Sequence, residues 1–412
     1  RPFKRCQSTF IGSGPHIGEA TDDFRGVLMT GGNGLDAERL RQLGAAIEGD
    51  IASGRYCGAA IAVSRGGETA FQAAFGQYSS TDSRPVQLDS VFSLFSLTKA
   101  FTNILILRSV ELGRLALTTK VVDIIPEFSG KPRENIRLEH LLTHRTGLPS
   151  VFTPIPGMPI DRLDVSLAAI CEHHHATEEP GGRVSYSPMA AHVLMGVMLE
   201  RTDPHGRRYR DIMTQDLLEP LGMNDSSVGV RPDLTARHIV PELPDSFAAT
   251  HPSSNIDGPH GAFEDPDAEM PWVGIVSTVP DLVRLAEALR RGGELDGARI
   301  ISPRMLDMAT INRTGELPNA IYQAMALSQG WLPYPAYIGL GFSLRGEAIC
   351  HHQFGTLATP RAFGNHGAGS TLMWIDPELD MTFVCLTTKL LAEHANIERF
   401  QRLSDIAISA AI

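Results

Sequence analysis

Lysine is scarce in this chain. Of 36 lysines and arginines together, only Lys4, Lys99, Lys120, Lys131 and Lys389 are lysines, so arginine is the default cation. A guanidinium keeps its proton in proteins, whereas an amine can lose one. Lys99, set in the apolar run SLFSLTKAFTNILIL, therefore reads as chosen for its amine. Cysteine is scarce as well: Cys6, Cys57, Cys171, Cys350 and Cys385 are scattered and form no CxxC pair. That excludes a disulfide framework and a cysteine-based zinc site, and points to a reducing compartment, taken as the cytoplasm. Long apolar runs are missing too. None reaches the roughly 18 residues of a membrane span, and the N-terminal RPFKRCQSTFIGSGPHIGEA has no apolar core of the signal-peptide type. No basic block offsets a net charge of -11, which argues against nucleic acid and anionic membrane as partners and favours a small molecule.

What is present is a chain of 412 residues, 42% hydrophobic, able to bury a large core. LDAERLRQLGAAIEGDIASG has apolar residues at helical spacing and stops at Gly54. GAAIAVSRGGETAFQAAFG reads as a hairpin turning at Arg65-Gly66-Gly67. From Ser96 the pattern turns helical and stays largely so to about residue 240. His251 to Pro271 reads as a long acidic loop, and STVPDLVRLAEALRRGG as a capped helix. STLMWIDPELDMTFVCLTT gives a second hairpin, and HANIERFQRLSDIAISAAI a last helix. The expected fold class is α+β. The terminal strands form an antiparallel sheet flanked by helices, a mainly helical second lobe sits beside it, and a cleft between the lobes is the default ligand site. In residue terms this is an N-terminal extension over 1–34, an α/β lobe from about 35–92 and 272–412, and a helical lobe over about 93–271.

Ser96 and Lys99 lie three residues apart. On a helix beginning at or just before Ser96 their side chains share a face and can touch. The free N–H groups of a helix start favour an oxyanion and disfavour a protonated amine, and apolar neighbours add desolvation. The pair reads as a nucleophile with its own base. Ser-x-x-Lys alone is weak, since composition gives about one chance match in a chain of this size.

The surrounding sequence says more. DSVFSLFSLTKAFTNILILRSVELGRLALTTKVVDIIPEF, IRLEHLLTHRTGLPS, GGRVSYSPMAAHVLMGVMLE, LGMNDSSV, WVGIVSTVPDLVRLAEAL, GLGFSL and FGNHGAGSTLMWIDPE follow in order. Together they closely resemble the serine β-lactamase-like family of class C β-lactamases, DD-peptidases, family VIII-type carboxylesterases and acyltransferases. The resemblance spans roughly residues 35 to 400 and implies the fold sketched above. It implies Ser96 as nucleophile, Lys99 as its base or proton relay, and Tyr186, in VSYSP, as the phenol that shuttles the leaving group's proton. It also aligns Asn365-His366-Gly367 with the family's third motif, with His366-Gly367-Ala368 as the register one residue along. In the first register the backbone N–H groups of Ser96 and Ala368 form the oxyanion hole. Asn365, His366 and Gly367 are then candidates for substrate contact, as are Trp272 and Trp331, because the family lines its acyl pocket with aromatics from these regions; Tyr334 and Tyr337 come from the same stretch.

Two departures from the family pattern bear on substrate. Pro188 stands where the family's second motif has asparagine, so no side-chain amide is offered there, and the third motif has no lysine. Both favour an ester over a β-lactam. The expectation is a serine carboxylesterase acting through an acyl-enzyme on Ser96, with no metal or cofactor. An acyltransferase acting on a secondary metabolite is the alternative, and a β-lactam hydrolase or a non-catalytic penicillin-binding-type sensor ranks behind both. Other features read as structure: His140 and His144 have zinc-ligand spacing but no third ligand, His173-His174-His175 read as a solvated helix end, and the acidic run Glu264 to Glu269 as exposed surface.

Overall fold

In the computed structural model, which describes residues 28–29, 34–243 except 154, 156 and 160, and 261–412, hairpins from opposite ends of the chain meet in one sheet. Its strands are β1 (Leu28–Met29), β2 (Gly58–Arg65), β3 (Glu68–Gly76), β4 (Ser343–Leu344), β5 (Phe363–Gly367), β6 (Thr371–Asp376) and β7 (Met381–Thr387), in the order β1-β3-β2-β7-β6-β5-β4. Every neighbouring pair is antiparallel. The join between the two ends is β2 against β7, in a register that sets Ile61 opposite Cys385 and Val63 opposite Phe383.

Successive residues of β2 serve opposite cores, as strand alternation requires. Ala59, Ile61 and Val63 pack with Leu43 and Ile47 of helix α1 (Ala37–Ala52) and with Phe400 and Leu403 of a C-terminal helix, Glu393–Ser409. Ala60 and Ala62 face the other way, into the core shared with the helical lobe. At the centre of that core lies α2 (Thr98–Glu111), buried on every side from Thr98 through Leu107. A helix spanning Ala190–Thr202, called α3, packs against it. Helix α4 (Val279–Arg290) covers the near face of the sheet, with Thr278 capping its N-terminus as the sequence suggests. Two further helices, α5 (Ala320–Ser328) and the C-terminal α6 (Glu393–Ser409), complete the set used below.

The structure adds to the expected outline in three places. Residues 91–93 and 275–277 pair with each other and with the two-residue strands Ser227–Val228 and His238–Ile239, forming a second sheet inside the mainly helical lobe. Strands this short leave no periodicity to read. Within the expected acidic loop, 251–260 lie outside the described residues. In its remainder Glu264 and Asp267 are exposed as expected, whereas Asp265 and Glu269 are buried, Asp265 paired with Arg162 and Glu269 with Arg208 and Arg210. His174, expected at a solvated helix end, is also buried, where desolvation pushes its pKa down to about 4, while its neighbours His173 and His175 are exposed. Of the N-terminal extension, Leu28 and Met29 fall within the described residues and pair with Gln72 and Phe71 at the sheet edge; the rest of 1–33 lies outside them.

Candidate active site

Ser96 sits in a single 3-10 turn, Phe95–Leu97, that leads directly into α2, so the expected helix start takes this tighter form. Phe95 holds a left-handed φ of 49°, a conformation that costs a non-glycine residue about 1–3 kcal/mol and is retained where surrounding packing fixes it. Its ring packs edge-on against Phe263 at 4.9 Å. One turn on, Lys99 is 3% exposed. Its Nζ lies 2.8 Å from Ser96 Oγ and donates to the carbonyl of Trp272 at 3.1 Å. Burial alone drives the amine well below its ordinary range, and among the described residues no carboxylate lies within ion-pair distance to reverse that. A depressed pKa beside a serine oxygen makes the amine a candidate base.

Tyr186 comes from the segment before α3, and its hydroxyl donates to Ser96 Oγ at 2.9 Å. Its backbone is held on both sides: the N–H donates to Asn319 Oδ1 at 3.3 Å, and the carbonyl accepts from Ser150 Oγ at 2.6 Å. Burial raises the phenol's pKa above its usual value, the hydrogen bond to Ser96 offsets part of that, and the nearby Glu393 adds to it. Ser96 Oγ is thus bracketed by the Lys99 amine and the Tyr186 phenol, with Lys99 Nζ 5.2 Å above the phenol ring.

Strand β5 closes the other side. Gly367 abuts the serine turn: a Cβ there would meet Leu94 O at 2.2 Å and Leu97 N at 3.1 Å, so only glycine lets the strand approach. Ala368 follows Gly367 directly, and among the described residues the backbone N–H groups of Ser96 and Ala368 have no hydrogen-bond acceptor, which leaves both free to serve as oxyanion donors.

Asn365 and His366 line the cleft. His366 is occupied at both nitrogens: Gln353 Nε2 donates to Nδ1 at 2.8 Å, and Nε2 faces Tyr322 Oη at 2.9 Å and Glu393 Oε1 at 3.4 Å. With neither nitrogen directed at Ser96 it holds the cleft wall together. Burial pushes the Glu393 carboxyl up, but His366 and Tyr322 outweigh it and leave the group below its usual range. The two tryptophans are not among the cleft-lining residues. Trp272 is buried in the core and reaches the site only through its carbonyl, while Trp331 stacks on His351 at 4.0 Å. The aromatic cleft residues between 320 and 345 are Tyr322, Tyr334 and Phe342, while Tyr337 is buried and not part of the lining.

Three residues of the site escape a motif-based reading. His144, read above as packing, has its ring 5.0 Å from that of Tyr186, and its Nδ1 accepts the N–H of Ser187 at 3.1 Å. Asn103 and His192 lie deeper, joined by a 3.1 Å bond between His192 Nε2 and Asn103 Oδ1. Burial first, then the nearby Lys99, keeps both histidines neutral: His144 is pushed down to about 3, and His192 well below its usual value. A signal for the deeper pair did exist, namely an amide and an imidazole set in the otherwise largely apolar stretches AFTNILIL and AAHVLMGVM.

The Beta-lactamase family profile matches residues 43–407. The chain belongs to that family. It is 24% identical over 363 residues to the esterase/beta-lactamase LipL of Mycobacterium tuberculosis, an alignment covering 82% of this chain and 78% of LipL. It is 28% identical over 287 residues to the esterase EstB of Burkholderia gladioli, covering 62% of this chain and 71% of EstB. A penicillin-binding protein homologue from Caulobacter crescentus superposes with a TM-score of 0.73 at 26% identity, covering 92% of this chain and 99% of the homologue. Family membership and these esterase relatives support a serine hydrolase. Among the described residues, no helix is long and apolar enough to cross a membrane.

Proposed function

We propose that this beta-lactamase-family protein is a carboxylesterase that works through an acyl-enzyme on Ser96. The observation that carries the reading is the bracketing of Ser96 Oγ by Lys99 Nζ at 2.8 Å and Tyr186 OH at 2.9 Å within the cleft. In acylation, Ser96 Oγ bonds to the ester carbonyl carbon as its proton passes to the Lys99 amine. The oxyanion takes the N–H groups of Ser96 and Ala368. When the C–O bond breaks, the Tyr186 phenol gives its proton to the departing alkoxide and is reprotonated from Lys99. Water then attacks the acyl carbon, its proton returns through the same pair to Ser96, and the acid leaves.

The lining supports an ester as substrate. Among the described residues it includes no Arg, Asp or Glu, and Lys99 is its one lysine. Arg345, behind the wall, is buried and bonded to the carbonyls of Gly355, Gly346 and Ala348. A β-lactam carboxylate therefore meets no free cation in this lining, and Pro188 offers its amide no side-chain partner. Short-chain p-nitrophenyl esters should be hydrolysed with kcat/KM at least ~100-fold above nitrocefin, about 2.7 kcal/mol, the scale of one or two hydrogen bonds to charged groups. Equal or faster nitrocefin turnover overturns the reading. Acyl transfer is the second reading, because an acyl-enzyme on Ser96 can be resolved by an alcohol as well as by water. Partition of the acyl group between water and an added alcohol distinguishes the two.

A further inference from the structure

Between Glu316 and Arg345 the chain runs LPNAIYQAMALSQGWLPYPAYIGLGFSL without one charged side chain, although 20% of its residues are charged. Apolar exposure concentrates in the same region. Among the described residues, five of the twelve large exposed apolar side chains, Leu317, Ile321, Leu327, Leu332 and Ile349, fall between 317 and 349. Leu332 is 84% exposed and Ile349 94%. Apolar residues scattered singly over a surface are ordinary, whereas a cluster marks a place where something apolar binds.

The cluster is knit together at the mouth of the Ser96 cleft. Ala326, Pro333, Tyr334, Ala336 and Ile338 line that cleft, and Pro333 is also exposed, which puts it at the rim with Leu332 next to it. Leu317 O accepts the Ala336 N–H at 2.8 Å, so Leu317 adjoins a lining residue. The Trp331 N–H donates to Ala326 O at 2.8 Å, closing the end of α5 into a turn that Leu327 and Leu332 flank. Ile349 is fixed beside this turn by its neighbours on both sides: the Trp331 ring stacks on His351 at 4.0 Å, and the Ala348 N–H donates to Tyr337 Oη at 3.3 Å.

Continuity with the cleft says what covers this surface. One uncharged segment supplies both the apolar wall inside the cleft and the exposed residues at its mouth, so a molecule seated on the wall reaches them without crossing a charged side chain of that segment. A net charge of -11 disfavours an anionic lipid surface there. We propose that Leu317, Leu327, Leu332 and Ile349 form an apolar shelf that seats a long hydrocarbon chain of the ester substrate. The proposal rests on the esterase reading for its reaction but not for its binding. The chain can belong to the acyl or the alcohol side of the ester. Each methylene moved from water onto the shelf adds a favourable increment, so preference should grow with chain length.

Two matched pairs separate the two sides: p-nitrophenyl octanoate against p-nitrophenyl butyrate, and octyl butyrate against butyl butyrate, all kept below the concentration at which they aggregate. Four added methylenes, partly covered on an open shelf, should give the longer member of at least one pair about tenfold or more in kcat/KM. Leu332→Glu/Ile349→Glu should bring that ratio toward one and leave the shorter member within about twofold, since neither residue lines the cleft. Ratios of one or less in both pairs overturn the shelf, as does a ratio that the double variant leaves unchanged. A rate gain that appears only above the aggregation concentration assigns the surface to a lipid interface, and a dimer in gel filtration that the double variant dissociates assigns it to a second copy; either result overturns the proposal. Binding of 1-octanol against 1-butanol to Ser96→Ala, by ligand-observed NMR, reads the shelf without turnover. Octanol-selective binding that the double variant removes, with no wild-type hydrolysis of any ester, overturns the esterase reading and leaves the shelf standing.

Discussion

Tyr186→Phe separates chemistry from structure more cleanly than any other substitution in the site. It keeps the ring packed against His144 at 5.0 Å and the backbone bonds to Asn319 and Ser150, and it removes one hydroxyl whose recorded partner is Ser96 Oγ. Ser96 Oγ keeps Lys99 as a neighbour, so no buried group is orphaned. The stability loss should be that of one ordinary hydrogen bond, about 0.5–1.5 kcal/mol, or a few degrees at most in Tm for a chain of this length. The kinetic loss should be far larger. Without the phenol the alkoxide departs with no positioned acid, which costs roughly 10²- to 10⁴-fold in turnover, or about 2.7–5.5 kcal/mol of barrier. Calorimetric Tm and kcat/KM for p-nitrophenyl butyrate and for an unactivated alkyl ester, measured on one preparation, test this. The alkyl ester should suffer more, because p-nitrophenolate leaves with little need of a proton. A loss of less than about tenfold on the alkyl ester in a folded protein would assign the phenol to structure and refute the proton relay.

Further outcomes follow from the same geometry. Lys99→Arg should fix a positive charge beside Ser96 and lose nearly all turnover, since a guanidinium cannot accept the serine proton; near wild-type kcat/KM in folded Lys99→Arg contradicts the base assignment. Because burial holds the Lys99 amine below its usual value of 10.5, activity on esters should rise with pH through that lowered pKa. An acid limb absent from the kcat/KM profile counts against it. The same depression means that the unfolded chain binds a proton the folded one does not, so the stability cost is full below the folded pKa and fades as pH climbs toward 10.5. Any Tm advantage of Lys99→Met over wild type should therefore shrink between about pH 7 and about pH 10, and an advantage growing with pH has the wrong sign. Gly367→Val should push β5 off the serine turn, since its Cβ meets Leu94 O at 2.2 Å, and abolish ester turnover. Retained activity would remove β5 from the oxyanion site.

The sequence makes the serine turn legible because its signals are local. Ser96, Lys99 and Asn103 lie on one helical stripe, and Lys99 stands out against a background of arginine. The terminal hairpins are legible for the same reason, since alternation and a Gly-Gly turn are short-range patterns. The cleft wall is not local. Gly341 serves Asn103 and Asn365 at once, across sequence separations that no spacing rule spans. Tyr322 lines the cleft while Trp331, nearby in sequence, stacks on His351, a difference set by how α5 and the segment after it pack rather than by residue type. His144 has zinc-ligand spacing to His140 but a left-handed φ of 53° and a bond to Ser187, features that belong to the folded chain alone. Asp265 and Glu269 look like a surface run until Arg162, Arg208 and Arg210 are brought against them.

The most direct measurement of the central claim is the mass of the intact protein during turnover of p-nitrophenyl butyrate. Ser96 as nucleophile predicts a transient species heavier by one butyryl group, with the modified peptide containing Ser96, and no such species in Ser96→Ala. A butyryl group found on another residue, or one that forms equally in Ser96→Ala, would contradict the account.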